Sequence, residues 1–506
     1  MHRALCVLLL FCASAAQIAY CGTSTSAYHR KTTSASDTMP ITTASAVARY
    51  SFEKGMAAFL NAHIAEATDD WRSAAKEDPD FALAHAWIAF NTGIPAEENE
   101  ERTRAKALAS NVTPGERLMI RWIVGVKEND YITGIAAMND MVAMFPKDKR
   151  VLYLAGNWLL LQESYEPCIK FMQRVLAIDG DYPPALNDSG YGYSGLGSYD
   201  KAIAAMDRYV KALPNDPNPQ DSYGEILRQA GRFNASLDHY RAALKMDPKY
   251  FTSHAGLGDT YALMGDEPAA RLEYAQAIQI ASGEDDRMTY TLQSATTWVR
   301  EKNYQKADKA FDEAADQAHA KGLHLHEASA RRMMAMYQQD DDSALMYLNA
   351  AEADLTHQES ISLSDREEER AQILLCRTLR ADHGKNHDLA LESLAKLKTM
   401  ADSSRSRIIQ RSYQAAAGEI ELSNGNYVEA IKHLEQNPDD PLSLELLARS
   451  YNGAGRTQDV QTVDNKLKTF NFATIQQALI DVSAQDTKSP EKNFIRGSWR
   501  PKHGQL

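Results

Sequence analysis

The chain has 506 residues, 44% of them hydrophobic and 24% charged, with a formal net charge of −13. These proportions are ordinary for a protein with a large core. The acidic balance argues against general nucleic-acid binding, which needs a basic footprint to neutralise phosphate.

At the N-terminus His2 and Arg3 precede an apolar run, Ala4 to Ala16, that is too short to span a bilayer comfortably. Ala13-Ser14-Ala15 supplies small residues for signal-peptidase cleavage, so residues 1–21 read as a signal peptide. A second reading stays open, a lipoprotein acylated on Cys21. Ile18 and Ala19 suit the residues before such a cysteine and Gly22-Thr23-Ser24 those after it, whereas Tyr20 is bulky where a small side chain belongs. Either way the chain is expected to be exported, periplasmic or extracellular, touching a membrane only through that lipid. Residues 22–47 are rich in Ser and Thr and read as a flexible linker. No later stretch reads as a membrane helix. Cys6 and Cys12 belong to the signal; Cys168 and Cys376 fall in small apolar slots too far apart in the chain's organisation to pair.

From Ala48 apolar residues recur at three- and four-residue steps around short breaks, the mark of paired helices. Gly55, Ala67, Trp71, Ala74 and Pro79 set the first frame. The unit from Ala82 is interrupted by Pro95 and the charged run Glu97 to Arg102. Thr113-Pro114-Gly115-Glu116 predicts a helix start, with Thr113 as cap and Glu116 three residues on. Gly156, Leu159, Tyr165 and Cys168 fill the unit from Lys149. The pattern is strictest next: Gly190, Gly224 and Gly258 are spaced by 34, each followed at twelve by Ala202, Ser236 and Ala270. Met206, Tyr240 and Tyr274 stand sixteen residues after those glycines, and Pro214, Pro248 and Ser282 close the units. Beyond Ser282 the acidic Glu284-Asp285-Asp286 reads as a turn that shifts the frame, and later units show through Phe311, Leu348, Leu397 and Leu434. Residues 355–365 read as a polar loop, 470–482 as a cap over the open apolar end, and 486–506 as a disordered basic tail.

Small glycine and alanine slots let two helix backbones approach, and the aromatic slots fill the space beside them. Gly197 and Gly231 mark the turns, and the closing prolines separate units. Small, aromatic, alanine, aromatic and proline slots at this period resemble the tetratricopeptide repeat, TPR. The resemblance implies an all-α fold, a right-handed α-solenoid of about eleven stacked helix pairs within residues 48–485, most regular at 149–282. Contacts would be between neighbouring repeats, which predicts broad unfolding.

Motifs with chemical meaning dissolve into this frame. Gly190-x-Gly192-x-x-Gly195 matches a dinucleotide pattern but no strand precedes it, so Gly192 and Gly195 read as places where the helix is thinned for a neighbour. His324 and His326 diverge on a helix, and no second ligand pair with zinc spacing accompanies them or His319. Asp340-Asp341-Asp342 lacks the spacing of a calcium loop and reads as a turn. Ser51-x-x-Lys54 and Ser198-x-x-Lys201 lack companion motifs. No catalytic residue, metal ligand or cofactor is assigned.

The resemblance places ligands against the first helices of the pairs. Its slots give Tyr153, Asn157, Asn187, Tyr191, Asn218, Asp221, Glu225, Arg228, Gln229, Thr252 and Asp259. The family's carboxylate clamp needs several cations, whereas Asp221, Glu225 and Asp259 dominate here, so a basic or amide-rich extended peptide is the better complement. The function expected is an exported, non-enzymatic scaffold binding a protein or peptide of unspecified identity. The alternatives are a surface glycan-binding lipoprotein, which needs exposed aromatic platforms, and an accessory subunit of an envelope enzyme.

Overall fold

A computed structural model describes residues 37–356, 361–437 and 440–480. The signal segment, Cys21, most of the Ser/Thr-rich linker and the basic tail lie outside the described residues. Among the described residues the regular structure is helical throughout, 25 α-helices and a single 3-10 turn. They run α1 (Ala46–Leu60), α2 (Ile64–Glu77), α3 (Ala82–Asn91), α4 (Pro95–Leu108), α5 (Pro114–Lys127), α6 (Tyr131–Met144), α7 (Lys149–Leu161) and α8 (Tyr165–Ile178). Then come α9 (Pro183–Gly195), α10 (Tyr199–Ala212), α11 (Pro217–Gln229), α12 (Phe233–Met246), α13 (Phe251–Met264), α14 (Glu267–Ile280), α15 (Glu284–Arg300) and α16 (Tyr304–Ala320). The last are α17 (His324–Tyr337), α18 (Asp341–Asp354), α19 (Leu363–His383), α20 (His387–Ser403), α21 (Arg407–Ser423), α22 (Tyr427–Leu434), α23 (Pro441–Gly453), α24 (Thr457–Lys468) and the short α25 (Ile475–Leu479). Twelve pairs result where about eleven were expected, and the interrupted stretch at 82–108 is one of them. Each odd-numbered helix packs on its own partner, α3 also packs on α5, and from α7 to α23 successive odd helices pack on one another, so the odd helices line one inner wall.

The pairs are held at the glycine slot. A Cβ on Gly258 would lie 2.7 Å from the ring of Tyr274, on Gly55 2.7 Å from Trp71, and on Gly418 2.5 Å from Leu434. Gly224 faces Tyr240 and Gly190 faces Met206 in the same way. Each partner stands sixteen residues on, so one small residue and one large one lock every such pair. Gly192 and Gly195 have the role the sequence suggested: an added Cβ would meet Ile169 and the ring of Tyr165. Trp71, Trp87, Trp122 and Trp158 form a buried chain, with centroid separations of 5.3, 6.3 and 6.1 Å.

Two acidic runs read as turns are helix starts instead. Glu284, Asp285 and Asp286 form the first turn of α15, and Asp340 caps α18 through Ser343 N, with Asp341 and Asp342 following. Carboxylates are favoured there by the unsatisfied N–H groups and the helix dipole. Thr113 and Glu116 form the predicted capping box. Cys168 and Cys376 are both buried and unpaired.

The linker reading reaches too far. From Met39 onward the chain is strapped to the solenoid. Met39 N donates to Asp148 Oδ2 at 2.7 Å, and Thr42 N and Oγ1 donate to the Glu116 carboxylate at 2.6 Å each. Buried capping carboxylates have acceptor capacity to spare, and this segment uses it.

Contacts also span many repeats. At the α7–α8 turn Glu163 has φ +52°, where the equivalent turn positions are Gly197 and Gly231. The left-handed backbone costs a side chain about 1 kcal/mol. What that side chain does is reach Arg411 on α21 at 2.8 Å, both groups buried, with Arg407 at 3.8 Å. Nearer the N-terminus His63 meets Asp216, the cap of α11, at 3.1 Å. The nearest-neighbour picture therefore needs these clasps added, and they oppose independent melting of the repeats they join.

Gly258→Ala should lower stability by about 1–3 kcal/mol, because the Tyr274 ring is buried and hydrogen-bonded to Asp259 and has nowhere to move. Gly190→Ala should cost much less, since only the flexible end of Met206 stands in the way. Denaturant titration of both variants checks the order; equal costs would refute this account of the slot.

Candidate binding groove

The inner wall carries the residues that the slots named, and it ties them to one another. Asn157 Nδ2 donates to Asp188 Oδ2 at 2.8 Å, one repeat along. Tyr191 OH donates to Glu225 Oε2 at 2.8 Å, and Gln229 Nε2 to Glu225 Oε1 at 3.2 Å. Ser194 Oγ donates to Gln229 Oε1 at 2.5 Å. Asn218 bridges Tyr209 and Tyr250, at 2.7 and 2.8 Å. Ser253 Oγ, beside Thr252, donates to Asp221 Oδ1 at 2.6 Å. Tyr274 OH donates to Asp259 Oδ1 at 2.7 Å. Tyr153 is buried edge-on against Tyr182, 6.1 Å between centroids. Asn187 is half-buried, its Oδ1 enclosed without a hydrogen-bond partner.

Arg228 is a buried cation of this wall. It is 3% exposed and stands 3.6 Å from both Glu225 and Asp259. Burial pulls its pKa down, but Asp259, Tyr240 and Glu225 together push it above the usual guanidinium value. The carboxyls around it shift upward as well, here because of burial: Asp188, Asp221 and Glu267 are each raised to about 7, and Asp259 is also raised. Most of the predicted site residues are thus rungs of an inter-repeat ladder rather than an open row. The slots identify the right helix face, and the spacing alone says nothing of how far its side chains have paired.

The part of the groove that the sequence missed is what lies in it. Residues 470–480 do more than cap the last pair: Ile480 packs against its apolar cluster and α25 touches α23, but the segment also lies along the inner wall as far as α11. Arg228 Nη1 donates to the carbonyl of Asn471 at 3.1 Å, and Asn471 Nδ2 donates to the carbonyl of Gln229 at 3.1 Å. Farther on, Arg300 Nη2 donates to Thr474 O at 3.2 Å and Nη1 to Gln477 Oε1. Ile475 and Leu479 are buried in the apolar cluster of Met288, Leu292, Met334, Ile373 and Cys376, all from odd helices. Burial draws the Arg300 pKa down, opposed by Glu267, Tyr274 and Asp259. Arg300 escaped the slot reading because α15 has 17 residues where α11 has 13, which moves its last turn out of register.

The His-rich run folds differently from expectation. His319 and His324 converge across the α16–α17 turn, and their Nδ1 atoms lie 3.2 and 3.0 Å from Glu327 Oε2. Arg331 already pairs with the other Glu327 oxygen at 2.7 Å, so the carboxylate has its countercharge within the protein.

With this geometry in place, the class is plain: the chain is an all-α solenoid of TPR repeats. Residues 224–265, from α11 to the end of α13, match the family model described as TPR repeat. Solved structures similar to it include PilW, a type IV pilus biogenesis factor, at 16% identity over 41% of this chain and 94% of that one, TM-score 0.33. A thermophilic TPR protein from Thermus thermophilus shares 16% identity over 35% of this chain and 96% of its own, TM-score 0.31. YrrB, a TPR protein with an unusual peptide-binding site, shares 18% over 36% and 91%, TM-score 0.25. No curated protein matches the sequence.

The Asp188 carboxyl gives the groove a pH signature. Its folded pKa of about 7 lies above the ordinary 3.8, so the native state holds a proton that the unfolded chain has released between those values. Stability from this group is therefore lost as pH rises through that window. Thermal melts should show wild type losing on the order of 2 kcal/mol relative to Asp188→Asn between about pH 5 and about pH 8. The amide keeps an acceptor for Asn157, so parallel profiles would show that the carboxyl stays ionised.

Proposed function

We propose that this protein is an exported, non-enzymatic TPR scaffold that binds an extended segment of another protein along its inner wall. The observation that carries this reading is residues 470–480: the groove between α11 and α19 accommodates a polypeptide, gripping carbonyls with the buried Arg228 and the half-buried Arg300. Such a grip reads backbone rather than sequence, while the apolar cluster around Ile475 and Leu479 supplies side-chain selection. The acidic ladder favours a segment that brings amides or cations. Export rests on the N-terminal segment 1–21, with acylation of Cys21 as its lipid-anchored form.

The raised Asp188 and Asp221 carboxyls are accounted for by burial, which outweighs the lowering effect of their bonds to Asn157 and Ser253, so they need no catalytic role. A glycan reading wants exposed aromatic platforms. Trp71, Trp87, Trp122 and Trp158 are core residues, and Trp298 is sandwiched by Arg271 and Lys306 at 3.6 and 4.4 Å.

Photo-crosslinking in intact cells tests the proposal. A photoreactive residue at Asn187 or Thr252, on inner helices, should capture one envelope protein; the same residue at exposed Leu272 or Val428, on α14 and α22, should not. Capture only from the outer positions would move binding to the convex face, and a chain recovered uncleaved in the cytosol would remove export.

A further inference from the structure

Resting on that reading, we infer that residues 470–480 are a displaceable internal ligand, and that the partner is a segment of the same chemistry. That chemistry is an extended stretch bearing a side-chain amide, running into a helical turn with large aliphatic residues four apart. The segment's own contacts define each feature.

Asn471 contributes the amide. Its side chain donates to Gln229 O, one of the last carbonyls of α11, which has no partner within its helix. Its carbonyl, and that of Thr474, accept from Arg228 and Arg300. Ile475 and Leu479, one helical turn apart, fill the apolar cluster. A peptide would need these same elements in the same order, with few demands on the residues between.

Several observations point to release rather than to a permanent brace. The helix α25 has five residues, and residues 470–474 before it have no regular structure. A helix that short has no stability of its own in water. The guanidinium of Arg228 keeps Glu225 and Asp259 beside it when the segment leaves, so the wall does not acquire an uncompensated buried charge. The segment is the last described part of the chain and is tethered directly to α24, which gives it a high effective concentration at the groove. A partner must therefore outcompete it, and weak mimics are excluded. Glycine at 231 assists: a Cβ there would come within 3.3 Å of Asn471 Nδ2.

The test uses the full chain and a fluorescein-labelled peptide of residues 469–480. Ile475→Asp with Leu479→Asp in the chain should weaken the internal ligand while leaving the twelve pairs intact, verified by circular dichroism. The labelled wild-type peptide should then bind at least about tenfold more tightly to this variant than to the unaltered chain. Adding Arg300→Gln should abolish the gain. In the unaltered chain, hydrogen exchange should open amides 474–480 well before those of α11 and α15. Equal peptide affinity for both chains, or exchange of 474–480 only together with the whole repeat core, would overturn the inference. The captured envelope protein provides the separate arm: if it binds both chains equally while the peptide discriminates, the internal ligand stands and groove binding of that partner falls.

Discussion

The fold depends on one distance, that between a glycine backbone and the large side chain sixteen residues later. Where Gly258 meets Tyr274, or Gly55 meets Trp71, two helices come closer than any Cβ would permit. Each ring is buried as a result, and its polar end is left near the inner wall: Tyr274 reaches Asp259 there, and the Trp71 indole N–H reaches Phe52 O at 3.3 Å. Packing inside a pair thus decides which polar atoms arrive in the groove. The ladder of carboxyls, amides and tyrosines along the odd helices follows from that close approach repeated at a fixed pitch.

Burial then changes what the ladder can do. Side chains that look from their types like an open acidic surface are enclosed between successive helices, so Asp221 and Asp259 hold protons more tightly and hydroxyls donate to carboxyls of the neighbouring repeat. Arg228 and Arg300 are left as the strong donors facing chain within the groove, and both face the 470–480 segment. Recognition by two arginines and an apolar pit differs in kind from capture of a terminal carboxylate by paired asparagines and lysines.

The first repeat and those from 149 to 282 were legible because their units keep the same length, and the glycine, alanine and aromatic slots recur in phase. The C-terminal half faded for a definite reason. Helices α15, α16, α20 and α21 have 17 residues and α19 has 21, against 13 or 14 in the regular units. Three or four extra residues add about one turn and keep the buried face in place, while displacing every slot in the sequence. The groove face was legible from the slots, but its closure was not. Glu163 gave a faint signal by standing where its neighbours have glycine. Nothing in the pattern of residues 470–480 announced that they would turn inward, because the arginines that hydrogen-bond them lie over 170 positions away.

Glu163 and Arg411 change the mechanics of the molecule. A solenoid whose contacts are all local behaves as a spring, with compliance that accumulates from one interface to the next. Pinning the fourth pair to the eleventh closes a loop of that spring, so extension of one repeat must be matched by compression of another. The width of the groove is then a property of the loop as a whole, held by one buried ion pair rather than by the stiffness of any single repeat.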